Sequence, residues 1–187
     1  SSGNINRQRY IVMRKINEIW LPDEDVELST GGLKQWIQYC KVQNKKFKQV
    51  LDCDSHYGIW SRSMRFYSNE IFAFENRKNY VKYSEKNLQP INHVKFNNQI
   101  ISDVNVPPKT FTIDYFNFTK LELIKLDSKN VITYFGGAPK TLGNNDENQS
   151  NVKFLYIENI DANTDTFIQS LKYKCILDNV PDRVYYK

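Results

Sequence analysis

Two short apolar runs, each closed by a carboxylate, constrain this chain more than any other feature. The first is Val50-Leu51-Asp52, which leads into Cys53-Asp54-Ser55-His56-Tyr57-Gly58-Ile59-Trp60-Ser61. The second is Ile71-Phe72-Ala73-Phe74-Glu75-Asn76. In an open α/β sheet that binds a nucleoside-containing ligand, the turn after the first strand cradles the ligand. An acid about 20 residues on, ending the second strand, binds the ribose hydroxyls. Glu75 lies at about that distance from the turn, so the pair points to a ligand of this kind.

The rest of the pattern agrees with such a sheet. Leu33, Trp36, Ile37 and Cys40 recur at i, i+3, i+4 and i+7, one face of a helix starting behind Thr30-Gly31-Gly32. It precedes a strand over 47–52, a helix from Gly58 to about Tyr67, a strand over 70–75, and a helix over 76–88 that Pro90 stops. A strand over 93–97, an ambiguous stretch over 100–106 and an extended segment over 110–114 lead to the strand Leu121-Glu122-Leu123-Ile124-Lys125-Leu126-Asp127. A strand over 152–157 ending in Glu158, a helix over 164–171 and strands over 173–177 and 183–187 close the chain. Arg9 to Met13 reads as a short strand, Trp20 to Asp25 as a Pro-stopped acidic loop, and Thr141 to Asn151 as a polar surface loop. Strands alternating with helices, then a closing strand pair, predict a mainly parallel sheet with helices on both faces.

Composition narrows the function classes. At 187 residues one domain is expected, with 1–32 as an extension and 33–187 as the core. No apolar run is long enough to cross a bilayer, and the start Ser1-Ser2-Gly3-Asn4 is neither a signal nor a transit peptide, so a soluble protein is expected. Three widely spaced cysteines, Cys40, Cys53 and Cys175, argue against a disulfide framework or a zinc cluster. Reduced thiols and a reducing compartment follow, and no metal-ligand set is read. The net charge of +5 is dispersed except over 41–48 and 75–86. With no recognised DNA- or RNA-binding motif, nucleic acid is the less favoured partner.

Trp20-Leu21-Pro22, Asp52 to Gly58, Ala73-Phe74-Glu75-Asn76 with Asn79, Leu123-Ile124-Lys125-Leu126-Asp127, and Ile157-Glu158 follow in an order and spacing that resembles the FkbM family of S-adenosylmethionine-dependent methyltransferases, especially its short viral and phage forms. The fold this implies is α/β, a Rossmann-like class I methyltransferase sheet, mainly parallel with an antiparallel C-terminal strand and helices on both faces. The activity it implies is methyl transfer from S-adenosylmethionine to a hydroxyl of a sugar or small molecule. On that resemblance Asp52, Asp54, Ser55, Gly58, Glu75 and Asn76 are the cofactor-binding positions, with Glu75 on the ribose. Asp127 holds the methionine amino group or accepts a substrate proton, with Glu158 a further candidate, and His56 meets the cofactor carboxylate or acts as a base. Each has a plainer alternative: strand-end acids for Glu75 and Asp52, a buried structural carboxylate for Asp127, a structural imidazole for His56. Lys125, two residues before Asp127, shares its sheet face and is expected to pair internally.

The chain also departs from the family. Asp54 occupies its first glycine, where a side chain obstructs the turn and a charge repels the methionyl carboxylate. Ser128-Lys129-Asn130 replaces Val-Glu-Gly after Asp127, and Asn76 replaces a proline. These changes give the alternative function: a catalytically degenerate methyltransferase-fold subunit of a virion, ribonucleoprotein or organelle assembly.

Overall fold

Strands buried on both faces need helices on both sides, and the central runs of this sequence meet that requirement. In the computed structural model, which describes residues 13–16, 18–22, 31–143 and 152–187, β3 (Phe47–Asp52), β8 (Leu121–Asp127) and β9 (Phe154–Glu158) form the middle of a seven-stranded sheet. Its other strands are β4 (Ser68–Phe74), β5 (Val94–Asn97), β10 (Lys174–Asn179) and β11 (Asp182–Tyr186), in the order β10-β11-β9-β8-β3-β4-β5. β3 pairs in parallel with both β4 and β8, so the strand order reverses between β3 and β8. Open α/β sheets bind ligands at that switch point, outside the carboxyl ends of the strands. Only β11 runs against its neighbours, β9 and β10.

Alternation along each strand builds two cores. Val50, Ile71, Ala73, Leu123 and Tyr156 face one side and pack with Trp36 and Cys40 of α1 (Gly31–Val42), Trp60 and Met64 of α2 (Ile59–Met64) and Leu88 of α3 (Val81–Leu88). Leu51, Ile124, Leu126, Leu155 and Ile157 face the other, against Val131 and Phe135 of α4 (Val131–Gly136) and Ile168 of α6 (Ala162–Ser170). Among the described residues no helix is long and apolar enough to cross a membrane.

The differences from the sequence reading have local causes. Trp20-Leu21-Pro22 is not a loop but part of β2 (Ile19–Pro22), hairpinned to β1 (Met13–Ile16). Asn87 of α3 holds that hairpin: its side chain accepts from Trp20 N at 2.7 Å and donates to Trp20 O at 3.0 Å and to Tyr57 O at 2.7 Å. α3 starts at Val81, because the Glu75 carboxylate accepts from Arg77 N and a turn from Arg77 to Tyr80 precedes the helix. α2 ends at Met64, where Tyr67 N turns back to the Met64 carbonyl and Tyr67 O accepts from Phe47 N. Between β5 and β8 the connection is a two-residue ladder of β6 (Ile100–Ile101) with β7 (Thr110–Phe111) and a 3-10 turn over Ile113–Phe116. α4 was not expected, nor α5 (Pro139–Gly143), whose Thr141 is tied to Asp114. The expected strand over 9–13 and polar loop over 141–151 fall largely outside the described residues.

Candidate active site

Four neighbouring strands deliver an acid to one edge of the sheet: Glu75 after β4, Asp52 ending β3, Asp127 ending β8 and Glu158 ending β9. The turn from β3 to α2 lies among them. It changes direction through His56 at φ 50° and Gly58 at φ 80°, and the Gly58 N–H donates to the Ser55 carbonyl at 2.6 Å. A left-handed backbone suits glycine at Gly58 and strains His56. His56 is held there by its own N–H, which donates to Glu75 Oε2 at 2.9 Å. Ser55 is buried, its hydroxyl 2.6 Å from that of Ser84 on α3.

Beneath the turn sits a fully buried cation. Lys125 Nζ lies 3.2 Å from Asp52 Oδ1 and 3.1 Å from Glu158 Oε2, and donates to the Asp54 carbonyl. Burial works against its charge, but Asp52 and Glu158 outweigh burial and hold the ammonium above its ordinary value. Asp52, also fully buried, accepts from Ser61 Oγ at 2.6 Å, and burial raises its carboxyl against the pull of Lys125. Burial, reinforced by Asp52, pushes Glu158 up to about 7. His56 Nδ1 stands 3.6 Å from Glu158 Oε2, and burial, then Lys125, Arg77 and Lys129, push the imidazole down to about 2.

Arg77 closes the outer side. Its N and Nε donate to Glu75 Oε1 at 2.9 and 2.8 Å, and its Nη2 to Oε2 at 2.5 Å. With the His56 N–H, each Glu75 oxygen receives two donors, the full capacity of a carboxylate. The guanidinium lies over the Tyr80 ring at 4.8 Å, and Tyr80 in turn packs on His56 and Tyr57.

The chain matches an rRNA methylase from Streptococcus thermophilus over 85% of its own length and 96% of that chain, with a TM-score of 0.57 and 11% identity. It matches the N-terminal domain of human METTL16 in complex with SAH over 90% and 75%, with a TM-score of 0.56 and 11% identity. The chain has the methyltransferase fold. A SAM-dependent O-methyltransferase from Thermotoga maritima matches over 82% of this chain and 53% of that one, at a TM-score of 0.52 and 14% identity. No protein-family model matches the chain, and no curated protein matches it in sequence.

Within the methyltransferase fold the expected site residues divide. Glu75, Ser55, Gly58, His56, Asp127 and Glu158 gather at the switch-point edge, whereas the Asn76 residue is exposed. Asp52 lies below the edge and is turned toward Ser61 and Lys125. Asp54 does not block the turn through its backbone, since the positive φ angles fall on His56 and Gly58. Its carboxylate crosses to the β8 loop, accepting from Asp127 N at 2.9 Å, Asn130 Nδ2 at 3.0 Å and Tyr134 Oη at 3.4 Å. Lys125 pairs with Asp52 and Glu158 and not with Asp127, which caps Lys129 N and accepts from Asn159 Nδ2 at 3.2 Å. Sequence reasoning missed Arg77, Tyr134 and Asn159, and read Asn130 only as a departure from the family and not as a partner of Asp54. Only Arg77, two residues past the strand-end acid, carried a readable signal.

Proposed function

We propose that this chain is a SAM-dependent methyltransferase of the FkbM type that acts on a hydroxyl of a sugar or another small molecule. The observation that carries the reading is Glu75: it ends the strand beside β3, is buried, and shares a hydrogen bond with the turn that opens α2. Acid and turn thus meet at the edge where doubly wound sheets bind nucleosides. Gly58 gives that turn its left-handed φ of 80° and lets its backbone pack against Leu88 of α3.

The residues present fit the adenosyl group with one rearrangement. Glu75 has no free acceptor position, so ribose hydroxyls enter only when the Arg77 guanidinium swings away. Arg77 can do so, since its side chain is 32% exposed. When bound, the cofactor supplies an electrophilic methyl group. Transfer to a hydroxyl needs alignment and modest proton acceptance more than a dedicated nucleophile. Asp127, Glu158 and His56 border the acceptor side, and of these Glu158, held near 7, is the group matched to taking up a proton at neutral pH. The low proton affinity of His56 suits it to orienting a group and not to acting as a base.

The Asp54 bridge favours a second reading, a methyltransferase-fold subunit without cofactor in a larger assembly, because that carboxylate ties the two ligand-facing loops together. Calorimetry with S-adenosylhomocysteine separates the two. Micromolar binding, abolished by Glu75→Ala, supports the enzyme; no heat at millimolar ligand supports the subunit.

A further inference from the structure

We propose that His56, Asp127 and Glu158 form a site for one divalent transition-metal ion, with coordination positions left open to water or an oxygen ligand. One ligand atom from each residue lies within 4.8 Å of those of the other two. Three ligands held at about 2.1 Å from an ion stand about 3 to 3.5 Å apart, so side-chain rotation by roughly an ångström completes the set. His56 Nδ1 and Glu158 Oε2, at 3.6 Å, are already near that spacing.

Two further features bear on an ion. Glu158 Oε2 is sealed from solvent, and its polar neighbours are the Lys125 ammonium at 3.1 Å and the His56 ring at 3.6 Å. Lys125 opposes a cation beside Glu158, and Asp52 and the Asp54 carbonyl engage it from its other contacts. The ligands are also supported from behind, as in built metal sites. Asn159 donates to Asp127, and the His56 backbone is fixed on Glu75 with its ring against Tyr80.

An imidazole with two carboxylates suits Mn²⁺, Fe²⁺ or Zn²⁺ better than Ca²⁺, which takes oxygen ligands. Three protein ligands leave room for an acceptor oxygen, whose proton a bound cation makes more acidic. The inference goes beyond the methyl-transfer reading and needs no cofactor to be bound.

The full-length chain, stripped of metal and free of cofactor, is titrated with MnCl2 while free Mn²⁺ is followed by electron paramagnetic resonance. One ion should bind with a dissociation constant below about 100 µM. Spin-echo spectra of the bound ion should show modulation by imidazole nitrogen, a readout that needs no variant to fold. His56→Gln and Asp127→Asn should each weaken binding at least tenfold, and His93→Gln should leave it unchanged. No saturable binding up to about 1 mM Mn²⁺, an echo without nitrogen modulation, or binding indifferent to His56→Gln overturns the proposal. Because S-adenosylhomocysteine is absent throughout, such a failure leaves the methyl-transfer reading to its own test.

Discussion

Replacing Lys125 with Met removes the buried cation from between Asp52 and Glu158 and leaves Asp52 with the Ser61 hydroxyl as its remaining side-chain partner. Breaking a buried ion pair from one side costs about 3–5 kcal/mol. The chain can limit that cost by protonating Asp52. A carboxyl of ordinary pKa near 3.9, at 1.36 kcal/mol per unit, is held neutral at pH 7 for about 4 kcal/mol and at pH 5 for about 1.5 kcal/mol. The two routes agree at neutral pH, so the variant should lose up to about 4 kcal/mol there and no more than about 1.5 kcal/mol at pH 5. The sign follows from linkage: burial already raises the Asp52 carboxyl in the parent, and in the variant the folded Asp52 keeps its proton to higher pH still, so the variant falls further behind the parent as pH rises through the parent's raised value. Urea unfolding followed by tryptophan fluorescence at both pH values measures the difference. Adding Asp52→Asn should recover most of the loss at pH 7. A loss under about 1 kcal/mol at pH 7, or an equal loss at the two pH values, would refute the account of Lys125 as a buried counter-ion.

Other expectations follow from the same geometry. Glu158 at about 7 releases stability as pH rises from 4.5 to 7, whereas His56 at about 2 adds stability as pH rises to 6.5; the two slopes oppose each other. In metal-free protein the parent should be nearly flat between pH 4.5 and 6.5, and Glu158→Gln should expose a rise of up to about 1.4 kcal/mol per pH unit in denaturant titrations. Gly58→Ala puts a Cβ 3.0 Å from Leu88 Cγ at φ 80°, and should cost about 1–2 kcal/mol in thermal unfolding. Gly32→Ala meets Asp182 Oδ2 at 2.5 Å and the Tyr156 hydroxyl at 2.8 Å, and should lower the melting temperature by several degrees. If ribose displaces Arg77 from Glu75, Arg77→Ala should tighten S-adenosylhomocysteine binding several-fold in calorimetry; weaker binding would assign Arg77 to holding the ligand.

Strands β3 and β8 were legible to the residue because their apolar runs end at acids, and the resemblance placed Glu75, Asp127 and Glu158 at strand ends. The partner of Lys125 was not legible. Side chains two apart on one strand stand about 6.6 Å apart, whereas neighbouring strands lie about 4.8 Å away, so its counter-ions come from β3 and β9. Pairing across strands depends on sheet order and register, which no local pattern carries. The reach of Asp54 to Asn130 and Tyr134 was hidden for the same reason, as was the late start of α3, set by a carboxylate capping the residue two positions on.

The single amide of Asn87 clips the Trp20 backbone on one side and the Tyr57 carbonyl on the other. Trimming the polypeptide back to the first helix would therefore do more than shed a ribbon from the periphery. It would unfasten the shoulder on which the bend between β3 and α2 leans, and a shortened version cut at that helix would report on a slacker turn than the native one.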